Sequence, residues 1–252
     1  MKRTIVFTIY QLLFTIGLLA TNVDSLKAVA DSVYAKEDFD KAAQLYHRIA
    51  KVGESATICY NLGNCYYRKD DIAKAILWYE RAAMLSPGDE DIRFNLDMAR
   101  SKTIDRVVPQ HEFFFVGWYK SMVNWMSVDA WAWLGIVLFV LSLVSLSIYI
   151  YGGALWLRKV GFTLAVVLVL CAVLANVCAA SQRGRMNERR GAIVMVPSAV
   201  VKSTPSKSGS DLFVLHEGTA VKIKDDSLSE WCEVSLADGK QGWIEKRMIE
   251  VI

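Results

Sequence analysis

AWAWLGIVLFVLSLVSLSIYIYGGALWLRKVGFTLAVVLVLCAVLANVCAASQ, residues 130–182, runs for 53 residues with charge only at Arg158-Lys159. The 28 residues from Ala130 to Leu157 and the 23 from Val160 to Gln182 are each uncharged. A helix rises about 1.5 Å per residue, so about 20 apolar residues cross a hydrocarbon core. Soluble core helices of this length normally carry a polar stripe, whereas 162–180 offers only Thr163 and Asn176. The segment therefore reads as two transmembrane helices, with cores at about 131–150 and 162–180. Tyr151-Gly152-Gly153 opens the turn between them, and Arg158-Lys159 reaches the headgroups.

Upstream, residues 107–129 form a linker in which Phe113, Phe114, Phe115, Trp118, Tyr119 and Trp125 cluster. Amphipathic rings in that number suit a membrane–water boundary; the plainer reading is a greasy helix end. Residues 1–25 combine Lys2-Arg3, an apolar run from Ile5 to Ala20 and small polar residues, the pattern of an export signal. Leu18 and Val23 stand where a cleavage site wants small residues, so an uncleaved anchor remains open. Either version carries the following segment across the membrane, and two more crossings leave both soluble parts on the exported side. The positive residues disagree, because Lys120, Arg183, Arg185, Arg189 and Arg190 flank the spans on that side. The signal is given precedence, which places the chain in a bacterial inner membrane with its soluble parts in the periplasm.

Before the membrane, Ile58, Tyr60, Asn61 and Leu62 recur as Ile92, Phe94, Asn95 and Leu96, a constant offset of 34 (92 minus 58). That period belongs to helix-turn-helix repeats. Residues 56–89 resemble a tetratricopeptide repeat (TPR) along their whole length. Leu62-Gly63, Tyr66, Ala75, Tyr79, Ala82 and Pro87 stand at the characteristic places. Gly63 and Ala75 are small where two helices cross, Tyr66 and Tyr79 fill the space between them, and Pro87 ends the second helix. Residues 23–55 repeat the pattern more loosely, and 90–106 supply only a first helix that caps the stack. The repeat domain is thus 26–106, about two and a half units, near the minimum for such stacks.

The resemblance implies a concave, protein-binding face on the first helices: Asp31 and Tyr34, then Thr57, Tyr60, Asn64, Tyr67 and Arg68, then Asp91, Phe94 and Met98. Tyr60, Tyr67 and Phe94 would anchor a partner, while Asn64 and Arg68 would bond its backbone or carboxylates. For Tyr60 and Phe94, packing between repeats is an equal alternative. Lys and Arg balance Asp and Glu at thirteen each over 26–106, so nothing here is arranged for nucleic acid.

After the second apolar helix the period becomes two. Val221 and Ile223 alternate with Lys222 and Lys224, and Cys232, Val234 and Leu236 with Glu233 and Ser235. Asp238-Gly239 is expected to form a tight hairpin with both residues at positive φ. Residues 191–252 resemble a bacterial SH3-like domain, a small barrel, carried by VVKSTPSKSGSDLFVLHEGTAVKI and EWCEVSLADGKQGWI. Such domains often bind cell-wall peptides or proteins. Trp231, on the strand face opposite Cys232 and Val234, is expected to be exposed as the ligand platform. Closure of one barrel end by Trp231 or Trp243 is the alternative.

No chemistry stands out. His47, His111 and His216 lie in different segments without carboxylate or cysteine at ligand or triad spacing. Phosphate-binding glycine loops and nucleophile elbows are missing. Asp89-Glu90-Asp91 opens a helix, where its charge serves the dipole. Cys171 and Cys178 are expected to share a helix face, and no cysteine pair has metal or redox spacing. The expectation is a protein that is no enzyme and needs no metal or cofactor.

The order of parts resembles the BatE family of bacterial aerotolerance operons. That resemblance implies partners with von Willebrand A domains and an AAA-type ATPase, in an assembly affecting envelope or oxidative stress tolerance. The expected fold class is a multidomain membrane protein: all-α TPR repeats, a transmembrane α-hairpin and a small all-β SH3-like barrel. The expected function is a membrane-anchored scaffold; the alternative is an accessory that targets a cell-wall enzyme to peptidoglycan.

Overall fold

The structure, a computed structural model, describes residues 23–107, 113–187 and 190–252. Most of the export-signal stretch and part of the aromatic linker therefore lie outside the described residues.

Among the described residues five helices come first: α1 (residues 23–35), α2 (Phe39–Ala50), α3 (Ala56–Arg68), α4 (Ile72–Leu85) and α5 (Glu90–Arg100). Short polar side chains set their starts. Asp38, Ser55, Asp71 and Asp89 each accept a backbone N–H from the first turn of α2, α3, α4 and α5. Each such cap is worth about 1 kcal/mol. The turns ahead of α2 and α4 place Glu37 and Asp70 at positive φ, 63° and 59°. The two sit in equivalent turns, 33 residues apart (70 minus 37).

Helices α1 to α5 stack through buried Ala30, Tyr46, Ile49, Leu62, Trp78 and Ile92. Gly63 is required by that packing, since a Cβ there would lie 2.4 Å from the Tyr79 ring. Cys59 and Cys65 are fully covered inside the stack, and burial pushes each thiol up to about 12. At neutral pH they are inert filling atoms.

Helix α6 (Phe114–Val123) exposes Phe114, Phe115 and Trp118 and leads to α7 (Val128–Tyr151) and α8 (Leu155–Asn187). The last two form an antiparallel hairpin, each long and apolar enough to cross a membrane. Small residues line the seam: Gly135, Ser142 and Ser145 on α7, and Gly161, Ala165, Ala172 and Ala175 on α8. Ser145 Oγ donates to the Gly161 carbonyl at 2.9 Å. A Cβ on Gly161 would meet the Tyr149 nitrogen at 2.9 Å, so the backbones approach as closely as membrane helices do through small residues. The outward faces are Val, Leu, Ile and Phe, an arrangement that hydrocarbon stabilises and water penalises.

Seven strands follow: β1 (Gly191–Val194), β2 (Ser198–Lys202), β3 (Asp211–His216), β4 (Ala220–Asp225), β5 (Trp231–Ser235), β6 (Gln241–Glu245) and β7 (Ile249–Val251). They make one antiparallel sheet in the order β3-β2-β6-β5-β4-β1-β7, open between β3 and β7. Inward residues of six strands, among them Val194, Val201, Leu215, Val221, Val234 and Ile244, meet in one cluster, so the sheet curls around a single core.

Three local expectations change. In the β5–β6 connection only Gly239 has positive φ (92°), while Asp238 keeps negative φ and accepts the Lys240 N–H at 3.0 Å. The connection is the longer loop Leu236–Lys240, closed by the Leu236 N–H to the Lys240 carbonyl at 2.9 Å, and needs one left-handed residue. Trp231 is 8% exposed instead of forming an open platform, because β5 is the central strand and is covered on both faces. Cys171 faces outward while Cys178 is buried with Val123, Trp131 and Ala175, because the end of α6 covers the hairpin only at that level.

Candidate functional site

Helices α1, α3 and α5 present the inner face of the repeat stack, and the ten candidate residues divide into two groups. Some are held by neighbours. The Asp31 carboxylate accepts the Tyr46 hydroxyl and pairs with Lys27 Nζ at 2.8 Å. Burial raises its pKa, and the hydrogen bonds from Lys27 and Tyr46 more than offset that, leaving it below the ordinary value. Tyr34 packs edge-on against Phe39 with ring centroids 5.3 Å apart. Arg68 lies over the Phe39 ring at 4.6 Å and reaches Glu37 at 3.3 Å.

Asn64 is the hub of a polar bridge between α3, α4 and α5. Its Oδ1 accepts the Tyr79 hydroxyl at 2.7 Å and Asn95 Nδ2 at 3.1 Å, and the same Asn95 amide donates to the Tyr60 hydroxyl at 2.8 Å. Tyr67 is half-buried, with Lys102 Nζ 4.4 Å from its ring centroid.

The rest are open. Thr57 and Asp91 are exposed, Phe94 is 68% exposed and Met98 37%. Phe94 and Met98 are one turn apart on α5 and form an apolar ledge, with Tyr60 and Tyr67 beside it on α3.

The outer face is closed by the β domain. Ile76 and Tyr79 of α4 and Leu96 and Ala99 of α5 pack with Ile193, Met195 and Ile252. Arg81 donates to the Val251 carbonyl at 2.7 Å and pairs with Glu250 at 3.5 Å. Among the described residues no helix pairs with α5 as its second helix, and β1 with the final residues packs on the apolar surface of α4 and α5.

A polar clasp locks this contact. Asp105, just past α5, accepts the His216 backbone N–H at 2.7 Å, the His216 Nδ1 at 2.8 Å and the Thr219 hydroxyl at 2.7 Å. Burial pushes its carboxyl up, and these bonds with the His216 ring more than reverse the effect, so its pKa lies below the usual value. Gly218 (φ 82°) lets the β3–β4 turn fit, since a Cβ would lie 2.7 Å from Thr103 Cγ2 and 3.1 Å from Ile76 Cδ1. Nothing in the sequence couples positions 111 residues apart, so the clasp was not anticipated; the one available signal was a histidine with no partner in its own segment.

The tetratricopeptide repeat family matches residues 28–90 of the chain. The N-terminal helices are thus TPR units, a fold that generally mediates protein–protein interaction. No curated protein matches the chain. Among the described residues no group of three or more His, Cys, Asp or Glu side chains is placed to hold a metal ion.

Proposed function

We propose that this chain is a non-enzymatic, membrane-anchored scaffold whose TPR groove holds a segment of a partner protein. The observation that carries this reading is the Phe94–Met98 ledge: apolar side chains left open on the inner face of a TPR stack whose outer face is already occupied. Ordered aromatic and thioether groups beside Tyr60 and Tyr67 suit an amphipathic peptide with apolar anchors at helical or extended spacing. Asp91 at the rim favours a partner segment carrying a basic residue.

The α7–α8 hairpin is the proposed anchor. It returns the chain to the side it left, which fits the contact between Asp105 before the hairpin and His216 after it. By the resemblance to BatE proteins, that side is the periplasm of a bacterial inner membrane. The partners would be von Willebrand A-domain membrane proteins acting with an AAA-type ATPase in envelope or oxidative stress tolerance. The β domain, SH3-like by its strand pattern, serves first as the clamp that completes the repeat stack. The cell-wall alternative rests on the SH3-like resemblance, and burial of Trp231 takes away the one aromatic ligand face suggested for it.

The test is in-cell crosslinking with a photoreactive residue at Phe94, alongside the Phe94→Ala, Met98→Ala double variant. The scaffold reading expects one dominant crosslinked protein and loss of its co-purification in the double variant at unchanged expression. An unchanged set of co-purifying proteins overturns the groove.

A further inference from the structure

Where the repeat stack meets the hairpin there is a cavity of about 430 Å³, within the range of small-ligand sites. Glu80, Met84, Pro87 and Arg93 from the repeats line it, with Asn124 from the α6–α7 corner and Gln182 from α8. The two parts meet closely here, since a Cβ on Gly88 would lie 2.6 Å from the Trp125 carbonyl oxygen.

Gln182 is the informative residue. It stands one turn past Cys178 on the covered face of α8 and is only 3% exposed. Yet neither its Oε1 nor its Nε2 has a hydrogen-bond partner among the described residues. A buried amide left in that state costs about 1–3 kcal/mol. Arg93 beside it makes no ion pair among the described residues. Glu80 gives one carboxylate oxygen to Arg100 and keeps the other. The cavity thus holds an unpaired cation, a partly available anion and an amide that wants both a donor and an acceptor.

We infer that this cavity is a phospholipid headgroup site, selective for a phosphodiester bearing a primary ammonium, the ethanolamine class. The phosphate oxygens would accept from Arg93 and Gln182 Nε2, and the ammonium N–H groups would donate to Glu80 and Gln182 Oε1. A choline headgroup carries the same charges but has no N–H to give. Met84 and Pro87 supply an apolar wall for the glycerol end. Position selects a lipid over a free metabolite: Gln182 lies near the end of the apolar length of α8 that is long enough to cross a membrane, and exposed Trp125 follows Asn124 of the cavity wall and meets Gly88 of the repeats. The inference rests on the proposed bilayer position of the hairpin.

Native mass spectrometry on the delipidated full-length protein in mild detergent tests it, with short-chain phosphatidylethanolamine, phosphatidylcholine, phosphoethanolamine and inorganic phosphate as probes. One phosphatidylethanolamine per chain is expected, with about tenfold lower affinity for the choline lipid, the loss of roughly one good hydrogen bond. Arg93→Ala and Gln182→Leu should each lower occupancy by a similar factor; Arg93 is exposed, so its variant folds even if the Gln182 variant does not. Equal occupancy in the Arg93 variant, or equal binding of the choline lipid, overturns the site. So does binding of phosphoethanolamine or inorganic phosphate as tight as that of the lipid. Flotation of the same preparation with vesicles tests the bilayer position separately. Protein that fails to float but still takes the ethanolamine lipid refutes the anchor and keeps the site; protein that floats but retains no lipid does the reverse.

Discussion

The two faces of the repeat stack began with the same problem and ended differently. On the outer face Ile76, Leu96 and Ala99 are covered by Ile193, Met195 and Ile252, and Asp105 clasps the β3–β4 turn over them. On the inner face Phe94 and Met98 remain in contact with solvent. A short TPR array cannot leave its terminal apolar surface bare, so the chain supplies its own cover there and leaves the other face available. Within the repeat stack the two faces therefore differ in cover, and among the described residues nothing is seated on Phe94 and Met98.

The contrast is broken most severely by Ile76→Asp, which buries an unpaired charge where α4 meets β1. It should cost on the order of 4 kcal/mol, read by urea unfolding of detergent-solubilised protein. Asp105→Ala comes next. It strands the His216 N–H and the Thr219 hydroxyl and should cost about 2 kcal/mol, with loss of hydrogen-exchange protection confined to the β3–β4 turn. Full protection of the His216 amide in that variant would show that the clasp does not hold the joint.

Acid sharpens the same comparison. The folded Asp105 carboxyl binds a proton less readily than its unfolded counterpart, so its contribution is complete above the ordinary value of 3.8 and is lost as pH falls through the lower folded value. The β3–β4 turn should open in that window and stay closed at neutral pH, and Asp105→Asn should abolish the dependence. His47 acts earlier and from within the repeats, with Glu250 of the β domain as a smaller opposing influence. Burial, with Lys51 and Arg81 nearby, lowers its pKa below 6.5, so the unfolded chain takes up protons first and the stack weakens as pH drops past that value. Thermal melts at pH 7 and pH 5, compared with His47→Gln, measure this. The smallest effect belongs to the inner face. Phe94→Ala with Met98→Ala should change unfolding free energy by less than about 0.5 kcal/mol, because little packing is removed.

Elements with a strong period were legible from the sequence. Gly63, Ala75 and Tyr79 announced one repeat because a close helix crossing admits few alternatives. The two apolar helices needed only length and the lack of charge, and Val221 and Ile223 showed a strand by alternation. Trp231 misled because alternation separates the two faces of a strand but does not say which is covered, and β5 is covered on both. The engagement of Asn64 with Tyr79 and Asn95 was not legible, since it depends on a third helix. The Asp105–His216 clasp and the unpaired Gln182 amide were beyond reach. Each depends on parts of the chain that have no common period and meet only after folding.

The Trp131 indole N–H donates to the Val123 carbonyl at 3.0 Å, tying the end of α6 to the start of α7. With Gly88 seated on the Trp125 backbone, the groove is set at a fixed height and bearing over the hairpin. In the proposed scaffold a partner anchored in the same sheet of lipid would need no search through a volume: lateral diffusion would deliver it at the right altitude, and a ledge as small as two side chains would suffice because tethering raises the local concentration.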